Sequence, residues 1–140
     1  MATVWLCTFK AGDRWLGIEV ARVQEILRAR PVTPVPLAPA VVAGLVNLRG
    51  QIVTAVDLRR RLELAEQEQE RDPAQVVVHG AEGAVSLLVD EVGDVLEVAE
   101  EDFEPPPPTL TGAARELIVG AWKLPDRLLL ALDVDAAVTT

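Results

Sequence analysis

The stretch VVAGLVNLRGQIVTAVDLRRRL, Val41 to Leu62, holds two apolar runs parted by Asn47, Arg49, Gly50 and Gln51. Buried strands are nearly all apolar, so the pattern predicts two strands joined by a hairpin turn. Gly50 supplies the turn, and Gly44 lets two backbones approach. Neither strand nor turn demands Arg49. On a rigid hairpin its guanidinium can make several hydrogen bonds to a partner's carboxylate or carbonyl. The competing reading is an intramolecular bond from Arg49 to Asp57 or Glu25 that pins the turn.

Similar runs recur along the chain: TVWLCTF, WLGIEV, QVVVH, AVSLLVDEV, VLEV, LIVGAWKL and RLLLALDV, each bounded by Gly, Pro or Asp. Their spacing and β-branched content predict a small all-β barrel or sandwich. A helical period is clear only from Leu58 to Glu70, where Leu58, Leu62 and Ala65 share a face. That predicts a short amphipathic helix whose RRR and EQEQE segments are solvated.

The order of elements repeats. GLVNLRGQIVTAVDL (Gly44 to Leu58) aligns without gaps on GAWKLPDRLLLALDV (Gly120 to Val134), pairing Gly44 with Gly120 and Asp57 with Asp133. Upstream, LGIEVARVQEIL (Leu16 to Leu27) aligns on VSLLVDEVGDVL (Val85 to Leu96), pairing Glu25 with Asp94. Each copy then runs into proline, PVTPVPLAP or EPPPP, placed at barrel edges because proline cannot donate to a ladder. A duplicated unit of roughly 70 residues is marginal alone, so the two should pack tightly or exchange strands, with a groove between them. The second copy has Pro125 where the first has Arg49, so the repeat itself does not require the arginine.

The chain has 140 residues, half of them apolar, and a formal net charge of −9. That balance supports a packed core and argues against nucleic-acid binding, which needs clustered Lys and Arg. Insertion into a membrane is not indicated, because no apolar run reaches the ~18 residues of a spanning helix. Cys7 is the single cysteine, so no intrachain disulfide can form, and a reducing cytoplasm is the simplest setting. His79 is the single histidine and Ser86 the single serine, which leaves zinc and triad chemistry unsupported. The carboxylates around Asp90 and around Asp133 are the remaining candidates for hydrolase or lyase chemistry. Asp57 and Asp133 recur just after equivalent strands, and a structural cap explains both. Trp15 and Trp122 are expected to plug one barrel each.

With these residues in place, the sequence resembles the CheW-type chemotaxis coupling proteins over about Val4 to Val138. The likeness rests on VARVQEIL, TPVPLAPAVVAGLVNLRGQIVTAVDLRRRL, VSLLVDEVGDVLEV and IVGAWKLPDRLLLALDVDAAV. It implies an all-β fold of two intertwined five-stranded SH3/OB-like barrels related by a pseudo-twofold, with one or two short helices. Residues 1–140 would form one CheW-like domain. One barrel would span about 15–80 and the other about 81–140, with residues 1–14 a candidate for exchange between them. The resemblance implies no enzymatic activity and no cofactor. It implies a cytoplasmic scaffold that holds the regulatory domain of a CheA-type histidine kinase against the cytoplasmic tip of methyl-accepting chemoreceptors. Relatives of the same fold serve pathways controlling pili, gliding or another output. The expected partner-binding residues are Arg49, Asn47 and Gln51 on the hairpin, Val23, Glu25 and Ile26 in the first copy, and Val92 and Val95 in the second. Leu27 and Leu96 belong to the same apolar sets, for which core packing is the competing assignment.

Overall fold

The apolar runs read from the sequence lie on strands, with AVSLLVDEV divided at Asp90 between two of them. The computed structural model describes residues 2–28, 30–64 and 74–139. Its strands are β1 (Thr3–Ala11), β2 (Arg14–Glu19), β3 (Val23–Arg28), β4 (Val42–Leu48), β5 (Gln51–Asp57), β6 (Ala74–Gly80), β7 (Gly83–Val89), β8 (Glu91–Ala99), β9 (Ile118–Lys123) and β10 (Leu128–Leu132). Three short α-helices accompany them among the described residues: α1 (Leu58–Arg61), α2 (Gly112–Leu117) and α3 (Val134–Val138).

The strands form two five-stranded sheets, β8-β1-β2-β10-β9 and β3-β6-β7-β5-β4. The two orders trace one path twice. Hairpins β1–β2 and β6–β7 lie inside each sheet, and the parallel pairs β2–β10 and β5–β7 join them to the second hairpins. The first sheet takes strands from both ends of the chain, residues 3–19 and 91–132, and the second uses 23–57 and 74–89.

Side-chain parity explains why the runs are apolar without interruption. Successive residues of a strand face opposite ways, so a strand covered on both faces must be apolar at every position. Cys7, Phe9, Leu16, Ile18, Val76, Val78, Leu87, Val89, Leu130 and Leu132 meet in one cluster drawn from both sheets. Their neighbours fill two smaller cores, Leu6, Trp122, Leu129 and Ala131 in the first sheet, Val46, Val53, Ala55, Val77 and Leu88 in the second. Buried polar atoms are paired: Ser86 Oγ donates to Gln75 Oε1 at 2.9 Å, and Gln75 Nε2 to the Arg30 carbonyl at 3.0 Å.

The tryptophans depart from expectation. Trp15 and Trp122 both belong to the first sheet, so one barrel holds both indoles and the other none. Trp122 is buried, with Nε1 donating to the Ala99 carbonyl at 3.3 Å, while Trp15 is half-buried under the Arg127 guanidinium. The core of the second sheet is filled with aliphatic side chains instead.

Expectation and structure also differ at RRR. The helix α1 is a single turn, and residues 65–70 of the expected helix lie outside the described residues. Arg59 is not merely solvated, because its Nε donates to both oxygens of Asp90 at 2.7 and 2.8 Å. Asp90 also accepts from the Gly12 backbone N–H at 2.6 Å, which ties the β1–β2 turn to α1. Arg61 donates to the carbonyls of Ala136 and Thr139 beside α3. A helical period over so few turns cannot reveal such long-range partners.

Both caps form as read. Asp57 accepts from the Arg60 N–H and Asp133 from the Ala136 N–H, each at 3.2 Å. The proline segments lie along sheet edges. Thr33 exchanges two hydrogen bonds of 2.8 Å with Leu45 of β4, and Glu104 exchanges bonds of 2.8 and 2.9 Å with Ala121 of β9. Covering an edge in this way blocks unwanted strand pairing. The close crossing explains Gly44, which has φ 152°, because a Cβ there would strike the Thr33 carbonyl.

Gly44→Ala should therefore destabilise the fold by roughly 2–4 kcal/mol, a fall of about 10 °C in Tm. Gly50 also has positive φ, but a Cβ there meets nothing within 4 Å. Gly50→Ala should cost only about 1 kcal/mol, from backbone strain alone. Thermal melts compare the two directly, and equal losses would show that the Thr33 crossing is not tight.

Candidate partner-binding site

Leu48 pairs with Gln51 across β4 and β5, which leaves Arg49 and Gly50 as a two-residue turn. Both have positive φ, 51° and 86°, the geometry of a type I′ hairpin. Glycine adopts it freely, whereas arginine does so at a cost. Asn47 contributes to the turn, its Oδ1 accepting from the Gly50 N–H at 2.9 Å. Gln51 is exposed beside it.

The Arg49 guanidinium reaches β3. Its two terminal nitrogens each donate to one oxygen of Glu25, both at 2.7 Å. β3 and β4 are the outermost strands of the second sheet, so this pair clasps the β4–β5 turn to the opposite edge. Of the two internal acceptors considered for Arg49, Glu25 is the one used, and Asp57 caps α1 instead. The clasp does not bury the arginine: its side chain is 74% exposed, against 18% for Glu25. Hydrogen bonding from Arg49 holds the Glu25 carboxyl below its ordinary range.

A second set gathers around the groove between the sheets. Ile26 (41% exposed) and Val92 line one cleft of about 670 Å³ with Arg28 and Ala74. Val95 (51% exposed) pairs with Cys7 of β1 and does not line that cleft. Val23 is half-buried against the core between the sheets, and Leu27 and Leu96 pack within the separate sheet cores. Sequence reasoning passed over Trp5, which is 54% exposed beside β8. Alternation gave no signal, because Trp5 has the parity of the buried Cys7 and Phe9, and it is exposed because it lies near the end of β1.

The first sheet lacks the clasp. Asp94 occupies the position of Glu25 and Pro125 that of Arg49. There the Thr8 hydroxyl donates to the Asp94 carbonyl at 2.6 Å, and Arg127 lies 4.2 Å from the Trp15 ring centroid. The tempting carboxylates have structural partners, Asp90 in its ion pair and Asp133 in its cap.

Two barrel-like sheets sharing a core, with exposed arginine and apolar side chains along their rims, define a protein-binding adaptor. Residues 6–140 match the CheW-like domain family, and the chain belongs to it. It is 32% identical over 133 residues to the chemotaxis protein CheW of Treponema pallidum, covering 92% of this chain and 78% of that one. Against CheW of Rhizobium meliloti the identity is 32% over 131 residues, covering 94% and 84%. Protein FrzA of Myxococcus xanthus is 30% identical over 112 residues, covering 79% and 69%. The crystal structure of the scaffolding protein TtCheW from Thermoanaerobacter tengcongensis superposes with a TM-score of 0.89 at 24% identity, covering 99% of this chain and 94% of that one. The chain is a non-enzymatic adaptor of chemotaxis-type signalling.

The clasp makes stability depend on acid. A carboxylate whose folded pKa is depressed stabilises the fold above its ordinary value and loses that contribution as pH falls through the folded one. The contribution of Glu25 should be intact well above pH 4.5, its ordinary value, and fade below it. Melting temperature measured against pH should therefore show a shallower acid limb for Glu25→Gln than for the native chain. Parallel curves would mean that the pair is not coupled to folding.

Proposed function

We propose that this protein couples the cytoplasmic tip of a methyl-accepting chemoreceptor to the regulatory domain of a CheA-type histidine kinase. The observation that carries the reading is Arg49, fixed on a two-residue turn by Glu25 yet open to solvent over most of its side chain. An anchor held in one geometry before binding loses little freedom when a partner arrives. The guanidinium keeps N–H groups beyond the two given to Glu25, and arginine is enriched among interface anchors. Gln51 flanks it as a further polar contact, and Asn47 fixes the turn that presents it. The groove lined by Ile26 and Val92 suits an apolar helical surface, with the exposed Val95 extending the contact along β8. The cytoplasm suits a chain whose only cysteine is buried and whose described helices are too short to cross a membrane.

A second reading places the same adaptor in a receptor–kinase pathway with another output, such as pili or gliding. The likeness to Protein FrzA, a relative under a different name, favours it. Copurification with tagged protein from the native cell, followed by mass spectrometry, separates the two by which kinase and receptor appear.

Arg49→Ala should leave a cooperative fold, with Tm lowered by no more than a few degrees, because exposed ion pairs contribute little. Affinity for the kinase domain or the receptor tip should fall by about thirtyfold. Arg49→Lys should restore part of it, since an ammonium lacks the planar fork. Calorimetric titration beside a melting curve distinguishes an anchor from a pin. A sharp fall in Tm with normal binding would assign Arg49 to the fold alone.

A further inference from the structure

Equivalent layers of the two sheets are filled in different ways. Hairpin β1–β2 closes at Ala11 and Arg14, and hairpin β6–β7 at Gly80 and Gly83, so Leu6 corresponds to Gln75 and Gly17 to Ser86. The gapless alignments set Trp122 against Val46 and, at the offset that pairs Glu25 with Asp94, Ala99 against Arg30. In the second sheet Gln75 and Ser86 are buried and bonded to each other, and Gln75 also reaches the Arg30 carbonyl. That polar bolt occupies the layer. In the first sheet the same two positions hold Leu6, which has no amide to reach across, and Gly17, which has no side chain. The Ala99 carbonyl accepts from the Trp122 indole instead.

The consequence is a cavity of about 550 Å³ in the first sheet, within the range of small-molecule sites. Leu6, Gly17 and Trp122 line its buried part, and the exposed Phe103 stands at its open side. Phe103 packs on Trp122 with ring centroids 4.7 Å apart, so one wall is aromatic. Gly120 permits that wall, because a Cβ there would strike the Phe103 ring. The charge around the cavity is lopsided. Glu19 and Glu100, both exposed, and the half-buried Asp133 line it, and Arg22 is the one cation among the described residues that do. Arg22 is already paired with Asp135 at 2.7 Å, whereas the three carboxylates have no ion-pair partner among the described residues. Asp57, the counterpart of Asp133, has the Arg60 guanidinium at 3.5 Å, and Ala136 stands at that place in the second half of the repeat.

We propose that this cavity binds a small amphipathic amine, with its apolar body against Trp122 and Phe103 and its ammonium group toward Glu19, Glu100 and Asp133. Aromatic walls give such a ligand both apolar contact and an attractive ring face for its charge. The unmatched carboxylates set the sign, favouring a cation over a neutral or anionic molecule of the same size. The cavity shares no lining residue with the groove of Ile26 and Val92. The inference therefore goes beyond the coupling role and gives the chain a small-molecule site apart from its protein contacts.

Titration of the pure protein with three probes of similar size tests it: 2-phenylethylamine, 2-phenylethanol and phenylacetate. Nitrogen–proton correlation spectra report the site through the Trp122 indole N–H, which is assigned by its loss in Trp122→Phe. The amine should shift that signal saturably, with a Kd of about 1 mM or below. The alcohol should bind about fivefold more weakly, and phenylacetate should leave the indole in place. Glu19→Gln combined with Glu100→Gln should bring the amine down to the level of the alcohol and leave the alcohol unchanged. Glu82→Gln combined with Glu91→Gln removes the same charge away from the cavity and should alter neither. Phe103→Ala should weaken amine and alcohol alike by about tenfold. Circular dichroism verifies that each variant is folded, and if Phe103→Ala is not, the two carboxylate pairs still decide. An indole signal that the amine does not move overturns the proposal, as does an equal response to amine and phenylacetate. An equal effect of the two carboxylate pairs overturns it too, since the attraction would then belong to the net charge of the chain. Neither kinase nor receptor is present, so the outcome is independent of the copurification.

Discussion

Burial of both faces of the inner strands is the constraint on which the rest of the molecule depends. Phe9, Leu16, Leu87 and Leu130 are almost inaccessible to solvent, and each lies between the sheets rather than inside one. Truncating a side chain of that kind typically costs about 3–5 kcal/mol, against a total stability of about 5–15 kcal/mol for a domain. Neither sheet can shed its partner without exposing this surface. The surface features, including the Glu25–Arg49 clasp, are therefore placed by the shared core and do not create it. Asp90 fastens the same junction from its rim, holding α1 and the β1–β2 turn together.

Much of this was legible in the residues. Unbroken apolar runs imply strands covered on both faces, and the gapless alignments around Asp57 and Asp133 imply two equivalent caps. Gly44 was read as a point of close approach, and its aligned counterpart Gly120 proves to lie at a similar crossing, where a Cβ would strike Phe103 and the Glu104 carbonyl. What escaped was long-range. Arg59 and Arg61 read as solvated because their acceptors, Asp90 and the carbonyls near α3, are distant in sequence. The placing of both indoles in one sheet escaped for a similar reason, since it follows from strand exchange and not from local pattern. Of the expected partner residues, Val23 packs against the shared core, whereas Ile26 and Val95, although paired with Val76 and Cys7 of that core, stand on the outer strands and remain exposed.

Repetition also makes the differences between the halves informative. A duplicated framework keeps what the fold requires, here the capping aspartates, the crossing glycines and the inward aliphatic residues. Positions where the halves diverge are free of that requirement. Arg49 against Pro125 is one, and Trp5 against Ala74 is another. The two sheets share a plan yet present different rims, which lets a pseudo-symmetric molecule offer two dissimilar surfaces to its surroundings.

Strand interleaving sets a timetable for the chain as it is made. β1 leaves the ribosome early, but its outer neighbour β8 begins only at Glu91. At a synthesis rate of about 5–20 residues per second, β1 waits roughly 5–20 s for that partner. During that interval the β1–β2 hairpin has no cover for Phe9 or Leu16, while β3, β4 and β5 also await β6 and β7. The first half of the chain is thus an unfinished surface, and a nascent chain stalled midway would be a candidate for chaperone capture.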